Sequence, residues 1–539
     1  MGNECARLVY HSLKLNPVGF ILAQHLTENF DKSTYWITEG ERMRNRIIYL
    51  MVIFGLFFVS FFCYANPSSS IENTDIIKGE NPKLLQSNPV IISSDVNFTD
   101  YGFSGDGTQE LPFLIDSLEI ITTDSNGIYI TNTSKYFVVS NCYVDAEVDG
   151  IYINGVANGT AVIINNVSEN HDYSCIRVKS SPSTIITGNT CRNSIWYGIR
   201  LQNSPLCILS DNYCTENIED GIILSYSGNS TVFNNNCSGN GYSGINFSLS
   251  EYSFVSDNIC NDNLNGIRLY SSDQTSVINN TCKNNENRGI YIYFSDECLV
   301  KNNTCINNMD GITLTFTEYD IVEYNNCSLN KEEGIRLSIA ESSIITNNTV
   351  LENRFGIYLN EDNSSVIKDN TISLNKDNGI TFFYSFYTDV SWNVIYENQK
   401  NGIELAYAKY TTISYNLIQS SSDYCVYLNK SSKYNQIHHN TFVNNKQDSS
   451  SQANDNGEEN LWYDISLKEG NYWSNSRKGK EYSIDGTAEN IDPYPLSSPI
   501  VPFLTTSETI HSEIFTIFLS LSLFSISSYL SYMRKKKQK

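Results

Sequence analysis

The chain has 539 residues, 36 Lys and Arg against 59 Asp and Glu, and a formal net charge of −23. A surface that acidic has no basic face for phosphates, which excludes a nucleic-acid partner. The length would hold roughly two to four ordinary domains, or a single one if the chain is a repeat array.

In chain order, residues 1–42 form an N-terminal extension, either a mis-assigned upstream stretch or a short cytoplasmic tail. Residues 43–65 are read as a signal peptide or an uncleaved N-terminal anchor. Ile47 to Ala65 is almost wholly apolar and follows Arg42, Arg44 and Arg46. Cys63 and Ala65 are small residues before a cleavage point at Asn66. A linker over 66–99 and an N-terminal cap segment over 100–126 lead into the repeat.

That repeat is a Gly-Ile-x-apolar tetrad, starting at Gly127, Gly150, Gly198, Gly221, Gly244, Gly266, Gly289, Gly311, Gly334, Gly356, Gly379 and Gly402, with Cys175 and Cys425 in the glycine's place twice more. Steps are 22 or 23 residues, with one of 25 from Gly150 to Cys175. Counting 14 on from each start gives Asn in 12 of 14 copies, Asn303 and Asn325 among them. Counting 16 on gives Cys191, Cys214, Cys237, Cys260, Cys282, Cys305 and Cys327, then Val350, Ile372, Ile395 and Ile418.

One coil is then a strand opening at Gly, a turn, a second strand, an Asn turn and a third short strand. The expectation is an all-β fold: a right-handed parallel β-helix of about 14 coils over residues 127–445. At ~4.8 Å per step the rod is roughly 60 Å long, with like side chains stacked in ladders. The ladder Asn is expected to take the left-handed turn conformation and to bond to its neighbour in the next coil. A leucine-rich repeat shares the period but requires Leu and a helical return, and neither is present. The seven cysteines are expected inside, as small apolar thiols in a dry core. A Cu(I)–thiolate ladder is chemically open, but six His and five Met give little soft-ligand support, so no metal and no cofactor are assigned.

On the first strand the +1 and +3 residues are apolar and point in, so +2 and +4 point out. The +2 row contains Tyr129, Tyr152, Arg177, Arg200, Arg268, Tyr291, Arg336, Tyr358 and Tyr427, with Ile223, Asn246, Thr313 and Thr381 between them; +4 adds Tyr270, Tyr293 and Phe383. This reads as a flat strip on which sugar rings stack and Arg forks meet carboxylates or hydroxyls. The ligand-binding candidates are Arg268, Tyr270, Tyr291, Tyr293, Arg336, Tyr358 and Phe383. Tyr and Arg are also ordinary exposed strand residues.

Catalysis would need paired carboxylates on neighbouring coils, and Asp310 and Glu333 qualify, with Arg336 nearby. One coil apart is close to the ~5–5.5 Å spacing of retaining glycosidases. Acidic and amide residues before Gly are also plain turn chemistry, as at Asp149, Asp220 and Asn265. Thirteen Asn-x-Ser/Thr sequons from Asn97 to Asn429 favour N-glycosylation in a secreted chain.

Residues 446–496 read as a C-terminal cap and 497–513 as a Ser/Thr/Pro-rich stalk. Ile514 to Met533 is long enough for a transmembrane helix of ~20 residues. Arg534 to Lys537 then hold a basic tail, 534–539, in the cytoplasm.

The repeats, the opening Ser-Gly-Asp-Gly-Thr at 104–108, and the closing Gly470-Asn471-Tyr472-Trp473-Ser474 and Asp492-Pro493-Tyr494-Pro495 resemble the NosD-like branch of the right-handed parallel β-helix family, over roughly 100–496. The resemblance implies a carbohydrate-binding or sugar-hydrolysis type of domain on an archaeal-style surface protein. It also implies, as a further alternative, a role in maturing a periplasmic copper enzyme. The expected partners are a polysaccharide or surface glycan, neighbouring surface-layer proteins, and the membrane through the C-terminal helix.

Overall fold

In the computed structural model, residues 84–446, 451–476 and 480–500 are described. The N-terminal extension, the signal or anchor segment, most of the linker, the stalk beyond residue 500, the transmembrane helix and the basic tail lie outside the described residues. Among the described residues no helix is long and apolar enough to cross a membrane.

Those residues form an all-β parallel solenoid of the right-handed type, about 15 turns long. The tetrads build its first sheet, of 16 parallel strands. Its register runs without a slip through Ile199, Ile222, Ile245, Ile267, Ile290, Ile312 and Ile335. A second sheet has 15 strands. The third face has six strands and then nine, connected through single bridges at Asn236 and Ile259. Each coil contributes strands of only a few residues, so lateral pairing with the coils above and below replaces strand length as the source of order.

Two of the 16 strands lie beyond the tetrads, Val90–Ile92 at one end and Asn454–Asp455 at the other. Val90–Ile92 pairs with the strand at Ile128, and Leu85–Ser87, on the third face, pairs with the strand at Leu118, so a turn of the solenoid already forms inside the stretch expected as linker. A short helix, Asn97–Asp100, seals that end: Phe98 is fully buried and stacks on Phe113 at 4.7 Å. At the other end Trp462 and Trp473 close the core. Their indole N–H groups donate to Asp455 Oδ2 at 3.0 Å and Asp492 Oδ2 at 2.9 Å. These bonds give two buried carboxylates and two buried indoles their partners.

Inside, the +1 and +3 residues of the tetrads are fully buried, as Ile290, Ile292, Ile312 and Leu314 show. The Asn ladder forms: Asn303 Nδ2 donates to Asn325 Oδ1 at 3.0 Å and to the Val277 carbonyl at 2.8 Å, while the Asn303 backbone N–H donates to the same Asn325 oxygen at 2.8 Å. The left-handed conformation, however, falls on the residue before the ladder Asn, with φ of 57° at Asn279 and 54° at Asn302. The ladder side chain must turn inward, so the chain reversal is taken by its predecessor.

A second Asn ladder was not expected. It runs through Asn217, Asn240, Asn263, Asn285, Asn308, Asn330, Asn353, Asn375 and Asn398. It explains the glycine. A Cβ on Gly289 would lie 2.6 Å from the Gly311 carbonyl oxygen, 2.9 Å from Asn308 Nδ2 and 3.0 Å from Cys305 Cβ. Close approach, rather than a special φ, demands glycine there. Cys191 to Cys327 are fully buried free thiols, and desolvation pushes Cys191, Cys237, Cys260 and Cys305 well above the ordinary thiol range.

Candidate functional site

The outer face of the first sheet is where the predicted residues meet. Because Gly turns its hydrogen toward the core, the residue before it and the residue at +2 both project outward. Two rows therefore run side by side along the rod. Their small members are covered by longer neighbours: Asn246, Thr313 and Thr381 are buried, as is Ile223. The face is therefore not the flat strip expected but a shallow groove, floored by short side chains and flanked by Tyr and Arg.

At mid-length the groove contains an acid pair. Asp310 and Glu333 occupy successive coils and are 4% and 7% exposed. Thr313 Oγ1 donates to Asp310 Oδ2 at 3.3 Å. Arg288, opposite Asp310 in register, brings its Nε to 3.6 Å from Asp310 Oδ2, and Arg336 its guanidinium to 3.8 Å from Glu333 Oε2. Burial pushes Glu333 up to about 8; the hydrogen bond and the charge shared with Asp310 add to this, and Arg336 opposes it. The two carboxyls thus interact, and the raised one is Glu333, the more so for lying in a poorly hydrated site.

Rings and guanidiniums surround that pair. Arg288 lies over the Tyr291 ring at 4.2 Å, Arg336 over Tyr358 at 5.7 Å and Arg268 over Tyr270 at 5.3 Å. Tyr293 packs on both Tyr270 and Tyr291, at 5.7 and 5.6 Å. The structure thus joins Arg268, Tyr270, Tyr291, Tyr293, Asp310, Glu333, Arg336 and Tyr358 in one continuous patch. Phe383 sits apart from it, edge-on to Tyr384 and Tyr407.

Sequence reasoning missed Arg288, which precedes Gly289 where the other coils mostly carry amide or acidic turn residues. It also missed the exposed wall of Phe294 and Phe316, stacked at 4.9 Å one residue beyond the +4 row. Arg288 lies in the row of residues that precede the glycines, whereas Phe294 and Phe316 lie at the left-handed bend beyond the +4 row, where no outward pattern is expected from strand alternation.

Among the described residues no three His, Cys, Asp or Glu side chains converge as metal ligands do. The stacked thiols are fully buried in an apolar core, and both ring nitrogens of buried His171 are engaged, by Ser168 and by Ala146. A copper centre requires an entry path to its thiolates and a free imidazole; these residues offer neither and do not fit one.

The sequence model of the NosD family, described as periplasmic copper-binding protein, matches residues 113–258, 197–341, 247–367 and 327–477. No protein of curated function matches the chain. Among solved structures, the periplasmic alginate epimerase AlgG is similar at 12% identity, over 65% of this chain and 77% of its own, with a TM-score of 0.34. The A-module of the Azotobacter vinelandii mannuronan C-5 epimerase AlgE4 is similar at 15% identity, over 60% and 96%, with a TM-score of 0.36. The Dettilon tailspike protein gp208 is similar at 13% identity, over 69% and 68%, with a TM-score of 0.33. Since the matched segments run continuously through more than half of the chain, from the second sheet's first strand to the Trp473 cap, this protein belongs to the NosD family.

Proposed function

We propose that the groove on the first sheet binds an anionic polysaccharide or surface glycan, the rod standing outside the cell on its C-terminal membrane segment among surface-layer proteins. The observation that carries this reading is the row of half-buried Tyr and Arg from Arg268 to Tyr358, interrupted only by buried Thr313. Rings offer faces to sugars and guanidiniums offer forked donors. Among the described residues Arg268 has no carboxylate partner, and its guanidinium donates to Asn246 Oδ1 at 3.4 Å. On a chain of charge −23, guanidiniums placed in one row mark where an acidic polymer is tolerated.

Retention of the full-length chain on immobilised acidic and neutral polysaccharides tests this. Tyr291→Ala and Arg336→Ala should each weaken retention about tenfold, ~1.4 kcal/mol, with circular dichroism unchanged. Equal retention of wild type and both variants would contradict it.

The Asp310–Glu333 pair favours a second reading, a carbohydrate-active enzyme acting as hydrolase, lyase or epimerase. Glu333, raised by burial, beside the Asp310 carboxyl supplies an acid and a second carboxyl group on one side of a bound chain, with Arg336 to meet developing negative charge. New reducing or unsaturated ends in the same samples would support it. Glu333→Gln and Asp310→Asn should then abolish turnover while retention survives.

A further inference from the structure

The repeat is broken once near its C-terminal end, and the break opens a cleft. Backbone register steps by 23 residues from Leu405 to Leu428 and by 24 from Lys409 to Lys433, so this turn carries one extra residue between Leu428 and Lys433. Asn429 holds the widened turn, its Oδ1 accepting from the Ser431 N–H at 3.0 Å and from Ser432 Oγ at 3.1 Å. Below the insertion lies a cleft of about 420 Å³, within the ~300–1,000 Å³ usual for small-ligand sites.

Its walls have distinct chemistry. One is the pair Tyr384–Tyr407, stacked at 4.4 Å and 42% and 37% exposed. The other is a column bridged coil to coil through Phe386, Lys409, Lys433 and Glu458. Lys433 is satisfied by Glu458 at 2.6 Å. Among the described residues Lys409 and Lys430 have no carboxylate partner; Lys409 only rests on the Phe386 ring at 5.7 Å. Two uncompensated ammoniums thus face a ring wall on a strongly acidic molecule. Phe383, in the +4 row of the first sheet beyond the Arg268–Tyr358 patch, packs on both tyrosines and places the cleft beside that sheet.

We propose that this cleft binds one anionic sugar unit, carboxylated or sulfated, with the ring against Tyr384 and Tyr407 and the anion between Lys409 and Lys430. The proposal rests on the polysaccharide reading and makes the cleft the charge-selecting subsite at the end of the groove. Rings alone would accept neutral sugars; the ammoniums confer the preference for negative charge.

The test is binding of the full-length chain to hexagalacturonate, a heparin-derived hexasaccharide and neutral cellohexaose at low salt, by calorimetry. The Lys409→Ala/Lys430→Ala variant should lose about tenfold or more in affinity for the acidic oligosaccharide that binds. It should leave cellohexaose unchanged, and Lys409→Arg/Lys430→Arg should restore the acidic ligand. The two acidic probes distinguish carboxylate from sulfate. Unchanged acidic binding by the Ala variant, while Tyr291→Ala still weakens it, would overturn the cleft and leave the groove standing. Failure of the wild type to bind either acidic probe would overturn both.

Discussion

At the residue scale, two adjacent asparagines in one turn have opposite jobs. The Asn303 side chain is buried and makes four hydrogen bonds; Asn302 is exposed and left-handed. Asn303→Gly should therefore cost ~1–3 kcal/mol in urea unfolding, the penalty of stranded buried partners. Asn302→Gly should be near neutral, because glycine accepts positive φ without strain. Equal costs would contradict this division. Gly289→Ala should be as damaging as the first, since its Cβ would meet backbone and amide atoms that belong to two ladders. Cys305→Val should cost less than ~1.5 kcal/mol, as Val350 fills the same slot two coils on. The native thiols should stay unreactive to a thiol reagent until the rod unfolds.

At the element scale, the coil was legible because its inward positions allow so little variation. A stacked strand must repeat its apolar residues at a fixed step, and so Gly, Ile and the +14 Asn stood out. The second Asn ladder and the Ser column through Ser204, Ser227, Ser250, Ser272 and Ser295 did not. They lie in turns of a chain rich in Asn and Ser, and the alternation of 22 and 23 residues blurs any fixed count. The acid pair was legible from Asp310 and Glu333 preceding glycines on consecutive coils. Its depth was not, because the burial of Thr313 and Glu333 depends on the length of the side chains beside them. Arg288 escaped for the opposite reason: its position was visible, but an arginine is not a turn residue. Removing it should drop the acid pair's screening. Arg288→Ala should weaken acidic-polymer retention, with little effect on a neutral one.

At the scale of the whole molecule, several buried carboxyls hold their protons. Burial raises Asp220 to about 6, Asp320 and Asp362 to about 7, and Glu333 to about 8. A carboxyl raised in the fold binds its proton more tightly there than in the unfolded chain. Its contribution to stability is therefore full below the ordinary carboxylate range and is lost as pH rises through the folded value. The melting temperature should thus fall between pH ~5 and ~8, and Asp320→Asn/Asp362→Asn should flatten that decline. A melting temperature that rises steadily over the same window would contradict the assignment. The rod's ends bear on the same property, since Asp455 and Asp492 hold the Trp462 and Trp473 indoles over the core. Trp473→Ala should open that end and lower the unfolding temperature more than any single groove substitution.

The most direct test of the account is retention of the full-length chain on an immobilised acidic polysaccharide, compared with its Tyr291→Ala/Arg336→Ala variant at matched fold and salt. Strong retention of the wild type, lost in the variant and lost for both at high salt, is the predicted result. A wild type that passes through with its variant would contradict the claim that this groove holds an anionic glycan.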